Sequence, residues 1–189
     1  MIGPFSTHTF TLASRSLVIQ KPTEKECDAL IILARNTYSE TYPYLFTSEN
    51  LHELFNKEHI TKELESTEYE YALIYVDEKP AGYSKVSFNQ KDPSTDKVTP
   101  MLDKLYVLKA FQGKGLDKEL LQHCFKRIID RGNASLTLNV WKDNPTAIKF
   151  YEKHGFCFTG NTAALDFAGR RFIDCQMTKE LTPAPDYTF

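Results

Sequence analysis

The sequence predicts an α/β domain in which a mixed sheet is packed by helices on both faces, and three observations predict it. Segments of strand-like alternation and of helical spacing follow one another in the order β-α-α-β-β-β-α-β-α-β-β. The stretch from Tyr69 carries two interleaved apolar sets, Tyr71, Leu73, Tyr75 and Ala72, Ile74, Val76, as a strand covered on both faces requires. The 189 residues, 41% hydrophobic and 25% charged, suffice for one sizeable core and sit close to the globular average, away from disordered and fibrous classes.

Taken in order, residues 1–15 are a weakly patterned N-terminal lead-in, and Leu17–Gln20 reads as a short strand. Thr23-Glu24-Lys25-Glu26 has the form of a capping box, with Thr23 as N-cap and Glu26 reaching back. A helix follows through Leu30, Leu33 and Ala34 to about Thr37. Thr41 to Phe46 is aromatic, contains Pro43 and reads as a loop; a second helix is expected from Glu49 to Glu65, with Leu51, Leu54 and Phe55 on one face. After the strand from Tyr69, Asp77-Glu78-Lys79-Pro80 is a turn and Ala81–Phe88 the return strand of a hairpin. Asn89 to Thr99 is polar, and Pro93 and Pro100 mark it as a loop before a strand at Met101–Leu108.

The clearest helix is Gly113–Asp130, where Leu116, Leu120, Leu121, Cys124, Phe125, Ile128 and Ile129 recur at helical spacing until Gly132. Leu136–Val140 is a strand. Asn144-Pro145 then opens a helix in the favoured order of Asn at the N-cap and Pro at the first helical position, and Gly155 closes it. Phe156–Phe167 and Arg171–Leu181 form a closing pair of strands. One domain therefore spans residues 16–182, followed by a C-terminal tail, 183–189.

Net charge is −2, so neither nucleic acid nor an anionic membrane is expected as a partner. The longest compact apolar run, Leu30 to Ala34, is far too short to span a bilayer. The first residues lack the basic start and apolar stretch of a signal peptide. Cys27, Cys124, Cys157 and Cys175 show no CxxC pairing and read as reduced, half-buried thiols of a cytoplasmic protein. The five histidines make no metal-ligand pattern; His52 and His59, two helical turns apart, fit a solvated face, and no metal is expected.

The informative stretch is Leu105-Tyr106-Val107-Leu108-Lys109-Ala110-Phe111-Gln112-Gly113-Lys114-Gly115-Leu116, where a strand ends, a short loop holds two glycines, and a long helix begins. Glycines let backbone N–H groups approach a ligand closely, and the first turn of a helix offers unpaired donors with a partial positive charge. A pyrophosphate can sit there. A Gly-x-Gly before a helix also fits a plain tight turn, and it lacks the spacing of a P-loop or a Rossmann fingerprint.

The run YVLKAFQGKGLDKELL resembles the strand–loop–helix signature of the GNAT superfamily of N-acetyltransferases, (Gln/Arg)-x-x-Gly-x-(Gly/Ala). Further on, LNVWKDNPTAIKFYEKHGF resembles the second hallmark of that family, a strand, Asn-x-x-Ala, then Phe-Tyr-x-Lys-x-Gly-Phe. The wording is closest to the bacterial spermidine/spermine N-acetyltransferase branch, whose N-terminal helix ARNTYSETY also resembles. The resemblance covers roughly Tyr71 to Leu181. It implies a single GNAT domain with a mixed, mostly antiparallel sheet whose central strands splay apart. It further implies acetyl-CoA as cosubstrate, with the pantetheine arm along Leu105, Tyr106 and Val107. Gln112, Gly113, Lys114, Gly115, Leu116 and Asp117 would hold the pyrophosphate, Asn144 would approach the pantetheine, and Tyr151 would sit beside the thioester sulfur. Asp117 departs from the family's Gly or Ala; its carboxylate suits the helix dipole but repels a neighbouring phosphate, with Lys114 and Lys118 to offset it.

Tyr151 in this reading is the general acid that protonates the departing thiolate; the competing reading is a core aromatic. Asp103 matches a position near which many GNATs carry an acidic residue, a base for the ammonium directly or through water; the competing reading is an exposed strand carboxylate. Trp141 is core or cleft wall, and Glu40, Glu49 and Glu53 either line an entrance for a polycation or form a solvated face. The expected activity is transfer of acetyl from acetyl-CoA to a small primary amine, a polyamine or another, by direct attack in a ternary complex. A protein or peptide N-terminus and a non-catalytic acyl-CoA sensor remain alternatives. Pairing of edge strands into a homodimer stays open.

Overall fold

The computed structural model describes residues 8–12, 15–91, 98–167 and 170–181. The expected tail, 183–189, and the middle of the loop expected at Asn89–Thr99 lie outside the described residues. Two compact units are distinguished, Met1–Ser87 with Lys104–Cys124, and Phe88–Asp103 with Phe125–Phe189.

In the first unit strands run in the order β1 (His8–Leu12), β2 (Arg15–Gln20), β3 (Tyr69–Val76), β4 (Lys79–Ser87), β5 (Met101–Val107), of which Lys104–Val107 belong to this unit. β1 to β4 are successively antiparallel. Helices α1 (Cys27–Thr41), α2 (Ser48–Leu54) and α3 (Lys57–Glu65) cover one face of the sheet, packing Leu30, Ala34, Tyr38, Phe55 and Ile60 against Tyr71, Leu73 and Tyr83. Helix α4 (Leu116–Asp130) covers the other face through Leu116 and Leu120, which meet Leu17, Ile19, Ala72, Ile74, Val76 and Ala81. The two interleaved apolar sets of β3 thus divide between two helical layers, as a doubly covered strand requires. The β3–β4 turn is tighter than expected: Asp77 and Glu78 alone form it, with φ of 49° and 65°. Two left-handed residues match a two-residue turn to the twist of its strands.

Three local readings change. The lead-in contains β1, paired with β2 from His8 opposite Ile19 to Leu12 opposite Arg15. The Thr23–Glu26 capping box is present but encloses a single 3-10 turn, and the helix beyond it runs to Thr41 rather than Thr37. The helix expected at Glu49–Glu65 is two helices. Asn56 breaks it: its side-chain oxygen accepts from the His59 N–H at 2.8 Å and starts α3 afresh.

In the second unit the strand order is β5, β6 (Ser135–Trp141), β8 (Arg170–Glu180), β7 (Cys157–Phe167), with α5 (Pro145–Lys153) between β6 and β7. β6 pairs antiparallel with β8 along its whole length. It pairs parallel with β5 at Met101–Thr137 and Leu102–Leu138, at the start of β5. Mostly antiparallel pairing with one parallel junction is the mixed sheet expected. Phe156 falls ahead of β7 rather than in it, buried against Phe125 and Tyr151 at ring separations of 6.0 and 5.5 Å. No helix among the described residues is long and apolar enough to cross a membrane. All four cysteines are free, but only Cys175 is half-buried as expected; Cys27 and Cys124 lie in the core and Cys157 is exposed.

Candidate active site

The site is built outward from the end of β5. Leu105 and Val107 pack toward the α4 layer, while Tyr106 turns to the α1 layer and meets the rings of Tyr38 at 4.9 Å and Tyr83 at 5.9 Å. Burial holds the Tyr106 phenol well above its ordinary pKa, so it stays protonated. The Val107 carbonyl accepts from Gln112 Nε2 at 2.9 Å, which folds the loop back onto the strand. Between them a 3-10 turn, Lys109–Phe111, is anchored at its first residue: Glu40 Oε2 accepts from the Lys109 N–H at 2.8 Å. Lys114 Nζ donates to the Ala110 carbonyl at 2.8 Å and lies over the Phe111 ring.

Gly113 and Gly115 have φ of 71° and 77°, and a Cβ at either would meet nothing within 4 Å. Their backbone conformation, not crowding, calls for glycine there. The open space in front of them fits the approach of a bulky anion to the start of α4, where the buried Leu116 fixes the helix. The Asp117 carboxylate is turned onto its own helix, its Oδ1 accepting from the Lys118 N–H at 2.9 Å. That contact satisfies one first-turn donor and complements the helix dipole.

In the second unit, Asn144 caps α5: its Oδ1 accepts from the Ala147 N–H at 3.1 Å, with Pro145 at the first helical position. Tyr151 is half-buried on the same helix, its ring edge-on to Phe150 and Phe156 at 5.3 and 5.5 Å. The turn that follows uses Gly155 at φ 85°. Asp103 is half-buried on β5, and strand alternation gives it the parity of Leu105 and Val107, opposite to Lys104 and Tyr106. The expected site residues therefore fall into two groups. Leu105, Tyr106, Val107 and Gln112 to Asp117 lie together in the first unit; Asp103, Asn144 and Tyr151 lie in the second. Trp141 packs edge-on to Phe172 at 5.6 Å.

Glu40 does more than an acidic helix face would. Nothing near it in sequence signals the contact, because its partner is 69 residues away. His52 and His59 have ordinary partners, Arg35 and Glu63.

A strand that delivers the chain into a two-glycine loop at a helix N-terminus offers a place for an anionic cosubstrate. The profile of the acetyltransferase (GNAT) family matches residues 32–156. The chain belongs to that family and is an acetyl-CoA-dependent N-acetyltransferase. It is 26% identical over 144 residues to an uncharacterised N-acetyltransferase of Lactobacillus delbrueckii subsp. lactis, covering 72% of this chain and 82% of that one. It is 32% identical over 81 residues to the spermine/spermidine N(1)-acetyltransferase of Bacillus subtilis, covering 42% of this chain and 49% of that protein. Among solved structures it resembles the PaiA N-acetyltransferase of Thermoplasma acidophilum in complex with coenzyme A, with a TM-score of 0.69 and 22% identity over 87% of this chain and 99% of the other.

Proposed function

We propose that the protein acetylates a small primary amine by direct attack on acetyl-CoA in a ternary complex. The observation that carries this reading is the loop Gln112–Asp117, with both glycines left-handed and open at the start of α4. In this reading the loop's N–H groups hold the pyrophosphate, and the backbone of Leu105 to Val107 pairs with the pantetheine arm. An N–H near Val107 meets the oxyanion of the tetrahedral intermediate, and Asn144 approaches the pantetheine. Tyr151 gives the thiolate its proton. Asp103, directly or through water, takes the ammonium proton in this reading. In this reading transfer is direct, without a covalent acetyl-enzyme. The name of the Bacillus relative puts polyamines among the acceptors to test.

The test is thiol release from acetyl-CoA across a panel of small amines, diamines and polyamines, followed by Tyr151→Phe. The variant keeps the ring and its packing on Phe150 and Phe156 while removing the proton. Loss of a general acid costs on the order of 10²–10⁴ in rate, and here it should fall on kcat with the KM for acetyl-CoA nearly unchanged. Wild-type turnover in Tyr151→Phe would remove Tyr151 from the mechanism.

A further inference from the structure

Beside the end of β5, on the face covered by α1 to α3, the first unit holds a pocket of about 140 Å³. Leu30, Ala34, Phe55 and Ile60 form apolar walls, and the exposed Leu54 and His59 also line it. Its polar residues are Glu63, Tyr71, Tyr83, Lys85 and Lys104.

Their pairing decides what the pocket can take. Glu63, buried, is already partnered: one carboxylate oxygen accepts from the Tyr71 hydroxyl, and the other faces Lys85 Nζ and His59 Nε2. Those three donors occupy most of its lone pairs and leave little for an incoming ammonium. Lys104 differs. Its ammonium rests 5.2 Å from the centroid of the Tyr38 ring and has no carboxylate partner among the described residues. Tyr83 is 1% exposed, and its hydroxyl lies beside Thr37 of α1 without a close hydrogen bond among the described residues. A buried hydroxyl so weakly partnered calls for an explanation. Burial pushes its pKa well above the ordinary phenol value, so it remains a donor. Two lysines against one glutamate, with the Lys104 ammonium left without a carboxylate, give the pocket a net positive lining that suits an anion.

We propose that this pocket holds the carboxylate of the acceptor, Lys104 pairing with it and the Tyr83 hydroxyl donating to it, so that the substrate is a small amine that also carries a carboxylate on an apolar stem. This rests on the transferase reading above. It places the recognising lysine one residue before the strand segment assigned to the cosubstrate. A polyamine entering the same pocket would meet a net positive wall.

The experiment compares 5-aminopentanoate with 1,5-diaminopentane and spermidine, each as acceptor in the thiol-release assay. The amino acid should exceed the diamine in kcat/KM by about tenfold or more, the scale of a charge-assisted hydrogen bond. Lys104→Met should collapse that ratio by raising the KM for 5-aminopentanoate, and Tyr83→Phe should lower it less. Lys104→Gln serves if the Met variant does not fold. Preference for the diamine or spermidine, or a ratio indifferent to Lys104, overturns the proposal and leaves the transferase intact. A second arm measures binding of pentanoate by saturation-transfer NMR. Binding that disappears in Lys104→Met, with no amine acetylated at all, would keep the anion pocket and sink its use by a transferase. No binding and no carboxylate preference sinks the pocket alone.

Discussion

Gly82 on β4 offers a direct test of how closely β5 is held. A Cβ built there would lie 2.6 Å from the Tyr106 carbonyl oxygen, 3.0 Å from Val107 Cγ2 and 3.2 Å from Ile74 Cγ2. Gly82 is not among the glycines with positive φ, so alanine suits its backbone and the whole cost is steric. A carbon–oxygen contact relaxes at about 3.3 Å or more, so β5 would have to retreat by roughly 0.7 Å. Both neighbours on β5 belong to packed backbone and core, which cannot swing aside. Overpacking of this kind costs about 1–3 kcal/mol, equivalent to a fall in Tm of about 2–4 °C per kcal/mol at this chain length. Gly82→Ala should therefore lower the urea midpoint with an unchanged m-value. It should also raise the KM for acetyl-CoA, because the displaced segment is the one assigned to the pantetheine arm. Gly132→Ala is the control: its φ is 76° and its Cβ would meet nothing within 4 Å. That substitution should cost stability and leave the KM for acetyl-CoA alone. A Gly82→Ala protein within about 0.5 kcal/mol of wild type would refute the close approach, since changes that touch nothing fall in that range.

Gly115→Val should strain a left-handed residue by about 1–2 kcal/mol and abolish the rise in Tm that acetyl-CoA gives the wild type; a shift of wild-type size would show that the loop does not hold the cosubstrate. Asp117→Asn keeps an acceptor for the Lys118 N–H while deleting the charge, so titration calorimetry should find coenzyme A bound more tightly, most clearly at low salt. Weaker binding would mean that the charge orients the loop. Cys124 is pushed by burial from 9.0 to about 12. Its thiol therefore stays protonated in the fold while the unfolded chain ionises, and stability should fall as pH rises from about 9 towards 12, by at most about 1.4 kcal/mol per unit from this group. Urea unfolding of wild type and Cys124→Ala across that window should show the shallower decline in the variant, and equal slopes would assign the decline elsewhere.

What could be read from sequence was what neighbouring residues decide. The spacing of Leu116, Leu120 and Cys124 marked α4, Asn144 and Pro145 marked the start of α5, and Gly113 and Gly115 marked a loop whose backbone only glycine adopts readily. Asn56 carried a legible cap signal, yet the apolar spacing on either side of it concealed the break between α2 and α3. β1 is five residues long, too short for the alternation of Thr9 and Thr11 with Phe10 and Leu12 to stand out, and it is specified by its pairing with β2. Glu40, Glu63 and Lys104 were beyond reach for a different reason. The groups that give them meaning come from β3, β4, β5 and the loop after it, and no spacing along one helix or strand encodes such meetings.

The two-residue turn at Asp77 and Glu78 also bears on how the chain assembles. It lets Val76 and Lys79 meet across almost no intervening chain, and the β3–β4 ladder can zip from there. The parallel junction of Met101 with Thr137 must instead close a loop of roughly 35 residues. By the logarithmic scaling of closure entropy, that difference is worth about 2 kcal/mol against the junction. The hairpin is the contact to nucleate early, and the β5–β6 register is set late, after the intervening helix has shortened the distance its ends must travel.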